Sequence, residues 1–234
     1  MAKKLLILLC FLFFISSRSS FSSSHEKFLH YPSDIESNDL RYFAGLAITN
    51  LPKSIGEDMV QQFPMINIDL RYGILDNVSA TSNLRTAILT NIISAGITGN
   101  YDQKNTSVSL GANFRYWYGT AIIESANASA NGYMIVPSIN IGINFDKIYY
   151  SIRTEAEFSF YQSQRVSDIV IDSSKDRIIG FSSSLNIEQP FYNDNWLHLG
   201  FKMNYTNYHY PSWIAFRTTR NWIFIPEFLF GVSI

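Results

Sequence analysis

Apolar and polar side chains alternate with a period of two from Leu40 almost to the last residue of the chain, in segments of ten or more residues. This is the period of a β-strand, in which successive side chains point to opposite faces. No Asp, Glu, Lys or Arg falls in the middle of an apolar face, and the charged residues within the segments lie on the other face. A charge that faces lipid at mid-depth costs about 2–4 kcal/mol, so this separation predicts strands that cross a membrane.

No segment after the first 24 residues is apolar over the roughly 20 residues that a membrane-spanning helix needs. Strands can cross lipid only as a closed barrel, because closure satisfies every backbone N–H and C=O group. We therefore predict an all-β fold over residues 39–234, a closed antiparallel up-and-down transmembrane β-barrel of about ten strands. Eight strands are possible, because the boundary between the third and fourth segments, near 89–91, is weakly marked. The alternative is a secreted β-sandwich, whose strands are usually shorter, at about five or six residues.

The connections between the segments alternate in length. Those near 75–77, 102–105, 145–147 and 190–194 are short, and those near 50–62, 119–132, 162–176 and 208–220 are long. Outer-membrane barrels have short periplasmic turns and longer outer loops, so an even number of strands places both termini in the periplasm. Pro137 and Pro226 lie within segments, where proline removes a ladder hydrogen bond, and both predict local irregularities.

The first residues have the pattern of a secretory signal. Lys3 and Lys4 precede an apolar run over 5–15, and small polar residues follow over 16–24. We predict residues 1–24 to be a cleaved signal peptide and residues 25–38 to be a periplasmic N-terminal segment. Cleavage would remove Cys10, the only cysteine, and with it any disulfide or thiolate chemistry; cleavage just before Cys10, as in a lipoprotein, is the alternative.

Removal of the signal peptide takes away three basic residues and no acidic one, which makes the mature chain more acidic. A net acidic chain gives no reason to expect a nucleic-acid partner.

The polar face of the strands would line the barrel lumen, and its charges are nearly balanced. It carries Arg41, Asp69, Arg71, Arg85, Arg115, Arg153, Glu155, Glu157, Glu188, His198, Lys202 and Glu227. One interpretation is a network of ion pairs that fills a narrow lumen, and the other is a small pore whose charges set selectivity. Barrels of about eight strands are just filled by side chains, so a lumen of about ten strands is predicted to be plugged or very narrow.

Two groups on this face could in principle carry chemistry. Glu155 and Glu157 form a carboxylate pair beside Arg153, for which ion pairing is the simpler interpretation. His198 could meet Ser182 or Ser184, but no nucleophile elbow or ordered triad is visible. The evenly spaced Asp168, Asp172 and Asp176 are interpreted as solvated loop acids, because a calcium site needs a tighter set of oxygens. We therefore predict no enzyme, no cofactor and no metal site.

The connection at 208–220 mixes aromatic residues with arginine, a composition that suits a binding surface. Its outer-loop contact candidates are Tyr208, His209, Tyr210, Trp213, Phe216 and Arg217. The same residues could instead pack over the mouth of the barrel.

The pattern over residues 39–234 resembles bacterial outer-membrane β-barrels as a class. The last strand is similar to the C-terminal strand that the barrel-assembly machinery recognises, although the chain ends in Ile234 rather than Phe or Trp. The stretch Leu70–Asp76 is similar to a strand–turn motif of barrels grouped with outer-membrane transporters. The resemblance implies a place in the outer membrane of a Gram-negative bacterium, contact with outer-membrane lipid and insertion by the assembly machinery.

Three functions are open at this point. The first is a structural or interaction role through the outer loops, with a protein partner and a narrow or plugged lumen. The second is a narrow pore or passive transporter for small solutes. A membrane-embedded lipid-modifying enzyme is the third.

Overall fold

The computed structural model describes residues 27–52, 62–123, 126–167, 169–172, 178–192, 195–215 and 222–233. Nearly all of these residues belong to antiparallel strands. The strands are β1 (Leu40–Asn50), β2 (Gln62–Leu75), β3 (Val78–Thr86), β4 (Thr90–Gln103), β5 (Thr106–Ile123), β6 (Ala126–Phe145), β7 (Ile148–Val166), β8 (Ile169–Asp172), β9 (Ile178–Pro190), β10 (Trp196–Thr206) and β11 (Ile223–Ser233). A short 3₁₀ helix covers Tyr210–Ala215. Within the described part of the chain, no helix has the length and hydropathy to cross a membrane.

The sheet closes on itself. Strands β1 to β7 each pair with the next strand along the chain, and β1 pairs with β11 from Phe43↔Ser233 to Thr49↔Glu227. Strands β8 and β9 both run antiparallel to β7, so they are two segments of one interrupted strand. The result is the closed antiparallel barrel of 10 strands that the alternation predicts. The third and fourth strands are separate, joined over 87–89 with Ala87 N–H bonded to the Thr90 carbonyl.

The two faces of the strands separate as predicted, with apolar side chains outside and polar ones inside. Ile97 and Leu110 face outward and are 59% and 63% exposed, as lipid-contacting residues must be once the membrane is removed. Ile179 is an exception, because the alternation predicts it outside and the structure buries it inside. The register of β7 and β9 shifts between Glu157↔Gly180 and Phe158↔Ile178, and a bulge of this kind moves the following side chain to the other face.

Strands β5, β6 and β7 are the longest, with 18, 20 and 19 residues. The prediction of a loop over 119–132 is wrong, because β5 and β6 stay paired as far as Ile123↔Ala126. Alternating small residues continue the ladder there, with Ala128 and Ala130 buried on the inner side. The connection predicted at 162–176 is likewise shortened by the end of β7 and by β8. About 9–11 residues suffice to cross a membrane, so these strands extend well past it at one end.

The barrel therefore has two different ends, which we name by their connections. At the short-turn end, two-residue turns at 76–77, 104–105 and 146–147 join consecutive strands. Lys104 and Asp146 have positive φ values of 51° and 56° there, as tight hairpin turns require. The opposite end, formed by the extended β5, β6 and β7, is the long-strand end.

Both prolines coincide with breaks in the ladder. The pairing of β6 with β7 skips from Ile135↔Phe158 to Ser138↔Glu155, and Pro137 lies in that gap. Pro226 directly precedes Glu227, which is the first residue of β11 in chain order that pairs with β1. Proline has no backbone N–H to donate to a neighbouring strand, and both prolines lie where the pairing with one neighbouring strand is interrupted or ends.

Candidate functional site

Residues 27–38, which we call the plug, fold into the lumen at the short-turn end. Residues 25–38 are predicted from sequence to be a periplasmic segment, and their pattern gives no sign that they enter the barrel. Asn38 N–H bonds to the Gly73 carbonyl, which ties the end of the plug to β2. Phe28, Tyr31 and Ile35 are buried against the barrel interior. The plug therefore blocks this mouth of the lumen.

Charged side chains of the barrel hold the backbone of the plug. The Glu188 carboxylate accepts hydrogen bonds from the N–H groups of Leu29 at 2.8 Å, His30 at 3.1 Å and Tyr31 at 2.6 Å. Arg71 donates to the carbonyls of Tyr31, at 3.0 Å, and Ser33. Hydrogen bonds to ionised groups are about twice as strong as neutral ones, so these two residues anchor the segment firmly.

Two further side chains hold plug carbonyls. Arg41 donates to the Phe28 carbonyl at 3.2 Å, and Asn140 donates to the His30 carbonyl at 2.8 Å.

Aromatic contacts complete the seat of the plug. The Phe28 ring lies 4.6 Å from Tyr149 and 5.5 Å from Trp196, measured between ring centroids. The Tyr31 ring lies 4.9 Å from Tyr149 in an edge-on contact. Gly142 on β6 leaves the space for this ring, since a Cβ atom at position 142 would overlap it. The plug is thus bound through both its backbone and its aromatic side chains.

Residues 207–215, which follow β10, fold inward and fill the long-strand end. Trp213 is 4% exposed, its indole Nε1–H donates to the Leu89 carbonyl at 3.3 Å, and Thr90 Oγ1 donates to the Pro211 carbonyl at 2.9 Å. Tyr208 and Tyr210 pack with Trp213 into an apolar cluster inside the barrel. We call residues 207–215 the inner loop.

The predicted outer-loop contact residues divide accordingly. The structure buries Tyr208, His209, Tyr210 and Trp213 inside the mouth, which is the packing alternative of the sequence analysis. Phe216 and Arg217 lie outside the described residues.

The wall that receives the inner loop was missed by sequence reasoning. Large apolar residues occupy inward positions near the long-strand end, namely Met65, Ile92, Trp117, Met134, Val136 and Ile225. The sequence did contain a signal for this wall, because each of these apolar residues lies on the otherwise polar face of its strand. Gly119 lies beside this cluster, where a Cβ atom would overlap the Trp213 indole.

Between the plug and the inner loop lies a polar chamber of about 120 Å³. Leu29 and His30 of the plug form one boundary and Tyr210 of the inner loop forms the other. The charged residues on its walls are Asp69, Arg71, Arg85, Arg115, Arg153, Glu155 and Lys202. A volume of this size is several times what one water needs, so the chamber can hold a cluster of waters or a small solute.

Ion pairs connect the walls of the chamber. Glu155 lies 2.9 Å from Lys202 Nζ and 2.9 Å from Arg153 Nε. Arg115 contacts Glu157 at 2.7 Å, and the Tyr210 hydroxyl donates to the same Glu157 oxygen at 3.0 Å. Glu157 therefore links the chamber wall to the inner loop.

A second group of charges lies on β2, β3 and β11. Arg85 pairs with Glu227 at 2.9 Å, and Thr49 Oγ1 donates to the other oxygen of this carboxylate at 3.2 Å. Asp69 accepts hydrogen bonds from the side-chain amides of Asn67 and Asn83.

All twelve residues predicted to line the lumen, which are the eleven acidic and basic residues of the charge network and His198, lie on the lumen side, but they do not form one network. Arg71 and Glu188 bind the plug, and Arg41 pairs with Asp39, which the sequence analysis did not single out, at 3.0 Å. His198 is fully buried, stacks on His30 at 4.0 Å and lies 3.2 Å from the Asn186 oxygen, so its neighbours are not the serines considered from sequence.

Two groups outside the strands have shifted pKa values. Burial in the inner loop lowers the pKa of His209 to about 4, with the nearby Glu227 partly opposing the shift. Partial burial, and then the Asp102 carboxylate, raise the pKa of Asp34 on the plug. Asp34 N–H also donates to Asp102 at 2.7 Å, which fixes the two acids close together.

The described residues contain no group of three or more His, Cys, Asp or Glu that could hold a metal ion. Of the evenly spaced aspartates, Asp172 lies in β8, and Asp168 and Asp176 fall outside the described residues.

No family model and no curated protein matches the sequence. Among solved structures, the outer membrane protease OmpT from Escherichia coli is similar, with a TM-score of 0.52, 11% identity, and coverage of 90% of this chain and 99% of that one. The fold is that of a bacterial outer-membrane β-barrel. The translocator domain of the autotransporter NalP from Neisseria meningitidis is also similar (TM-score 0.44, 11% identity, 85% and 88% coverage). The outer membrane protein OprG from Pseudomonas aeruginosa matches with a TM-score of 0.29, 10% identity, and coverage of 85% of this chain and 95% of that one.

The likeness to OmpT corrects one prediction. The prediction that the protein is not an enzyme was wrong as an exclusion, because a protease has the same type of barrel. A missing sequence motif was insufficient ground for the exclusion, since catalytic groups on a barrel can come from separate strands that alternation alone does not bring together. At 11% identity the likeness concerns the fold only.

Proposed function

We propose that the protein is a sealed outer-membrane barrel with a structural or interaction role at its long-strand end. The observation that carries this proposal is the double closure of the lumen, by the plug at one end and by the inner loop at the other. Contact with outer-membrane lipid through the apolar face, insertion by the barrel-assembly machinery and a protein partner at the long-strand end belong to the same proposal.

The nature of the two closures supports a sealed resting state. Charged side chains bind the plug backbone at successive residues, which resists its displacement more than side-chain packing alone. The inner loop is held by an apolar cluster and by Tyr210, which bonds to Glu157. The two closures thus use different interactions, and loss of one leaves the other in place.

The shape of the long-strand end supports an interaction role. Strands β5, β6 and β7 exceed the length that a membrane requires and remain paired to their tips. A paired extension is a rigid surface for a partner, in contrast to a long unstructured loop. Ile122 near its tip is 78% exposed.

Planar-bilayer recording tests the sealed lumen. Refolded wild-type protein should give no stable single-channel steps, and a variant that lacks residues 27–33 should give no open pore of large conductance, because the inner loop still closes the other end. Altered mobility on unboiled gels serves as the check that both proteins are folded. Stable conductance steps from the wild type would overturn the sealed-lumen proposal.

Site-specific photocrosslinking on intact cells tests the interaction role. A photoreactive residue at position 122 should give a discrete protein adduct, whereas the same residue at position 75 should not. Leu75 is a matched control, since it is also exposed but lies at the short-turn end. Equal adducts at both positions, or none at position 122, would count against the proposal.

A further inference from the structure

We propose that the polar chamber between the plug and the inner loop is a binding site for a small carboxylate anion, with the Arg153 guanidinium as its main ligand. The proposal does not depend on the interaction role.

The Arg153 guanidinium lines the chamber, and its Nε atom has no hydrogen-bond acceptor within the residues that the structure describes. Its side chain lies on the lumen side of β7 yet is 29% exposed, and it lines the chamber. The Nε atom lies 2.9 Å from Glu155 but is misaligned, so it makes no hydrogen bond. Among the described residues, none accepts a hydrogen bond from this guanidinium. Arg153 is therefore paired by charge alone, and a ligand in the chamber would supply the hydrogen bonds that this guanidinium lacks.

The wall around Arg153 carries more positive than negative charge. Arg115, Arg153 and Lys202 all lie within 4.0 Å of the Glu155 carboxylate, and Glu157 is the only other carboxylate in the described part of the chain that pairs with them. Three cations therefore share two acids on this wall. The excess positive charge favours an anion at the one guanidinium that is not hydrogen-bonded.

The positive excess is local to one wall, because Asp69, which also lines the chamber, carries its negative charge on the opposite side. Arg85 is paired with Glu227. Asp69 lies on β2, across the ring from β7, where two amide groups hold it. The anion site is thus confined to the wall formed by β5, β7 and β10.

The shape of the Arg153 guanidinium suits a carboxylate ligand. A planar guanidinium matches a planar carboxylate with two parallel hydrogen bonds. A chamber of about 120 Å³ has room for a molecule of a few non-hydrogen atoms. Formate, acetate and similar small carboxylates fit these limits.

Retention of radiolabelled acetate tests the site. The mature chain is refolded in detergent with labelled acetate, so that entry does not depend on opening of the plug, and is then separated from free ligand. Wild-type protein should retain about one acetate per barrel, and unlabelled acetate added during refolding should compete. Retention of no acetate by the folded wild type would overturn the proposal.

Variants assign the site to Arg153. Arg153→Gln should abolish retention, and Arg153→Lys, which keeps the charge but loses the planar fork, should reduce it roughly tenfold. Both should fold, because Glu155 keeps Lys202 as a partner. Arg165→Gln is the matched control, since Arg165 is exposed on the same strand, and should retain acetate as the wild type does. Unchanged retention by Arg153→Gln would also overturn the proposal.

Discussion

Glu188 accepts a hydrogen bond of 2.6 Å from the backbone N–H of Tyr31, and the same carboxylate binds the two preceding N–H groups of the plug. The acid lies near the end of β9 and is almost completely buried. It therefore serves as the anchor of the plug rather than as a member of an ion pair.

Replacement of Glu188 by Gln should loosen the plug. The amide has one acceptor oxygen, and its NH₂ group would face backbone donors, so the free energy of plug opening should fall by about 2–3 kcal/mol. The rate at which maleimide labels a Ser33→Cys reporter, buried in the plug, should then rise about 30-fold or more. Glu36→Gln, an exposed change in the same segment, should leave the rate unaltered. Equal rates in all three proteins would contradict the anchoring role.

Loss of Arg85 should destabilise the barrel through Glu227. Arg85→Met leaves the Glu227 carboxylate buried with Thr49 as its remaining hydrogen-bond donor, and breaking a buried pair costs about 3–5 kcal/mol. Adding Glu227→Gln should recover most of the loss. Urea unfolding in lipid vesicles measures both effects, with Arg165→Met as the exposed control. A double variant no more stable than Arg85→Met would show that the pair is not the cause.

Gly119→Ala should displace the inner loop. The added methyl group overlaps the Trp213 indole, so Trp213 should move towards solvent and its fluorescence emission should shift to longer wavelength. Gly99→Ala is the matched control, because the nearest atom to its Cβ is the Leu110 carbonyl oxygen at 4.0 Å. The same emission spectrum for both variants would mean that the inner loop tolerates the methyl group.

Acidification should weaken the inner loop through His209. Its pKa is about 4 in the folded protein against 6.5 when unfolded, so folding favours the neutral ring. The stabilisation is complete above pH 6.5 and is lost as the pH falls towards 4. Glu227, Lys202 and Arg85 are the charged groups that act on this ring. Comparing urea midpoints at pH 7.5 and pH 5 should show a smaller loss for His209→Gln than for the wild type; an identical loss would assign the effect to other groups.

Cysteine labelling should show the orientation of the barrel. Cys10 is the only cysteine and lies in the predicted signal peptide, so a single introduced cysteine would be unique in the mature chain. A membrane-impermeant maleimide should label Ile122→Cys on intact cells, but Lys104→Cys only after the outer membrane is permeabilised. The reverse result would invert the predicted orientation.

The alternation was enough to predict the barrel, its strand number and, for most strand residues, whether the side chain points outward or into the lumen. Each strand must present an apolar side to lipid over its whole length, so the pattern is strong and local. The inward position of Ile179 was not predicted, because a bulge shifts the register there. A bulge depends on the partner strand as well as on the local sequence.

The closures could not be predicted in the same way. The plug seat brings together Phe28, Tyr149 and Trp196, which are far apart in sequence and show no common pattern. The Ala-Ser-Asn stretch before Gly132 has the composition of a loop. In the structure its small side chains pack beneath Trp117 and the inner loop, where larger ones would not fit. In both places packing across the lumen, rather than the period of one strand, decides the structure.

The position of the plug also determines the order of assembly. Leu29 and its acceptor on Glu188 are separated by 159 positions, and the lumen exists only after β11 has joined β1. The full set of contacts between the plug and the barrel wall can therefore form only as the barrel closes or after it has closed. A barrel that closes without the plug in place would be an open tube at its short-turn end.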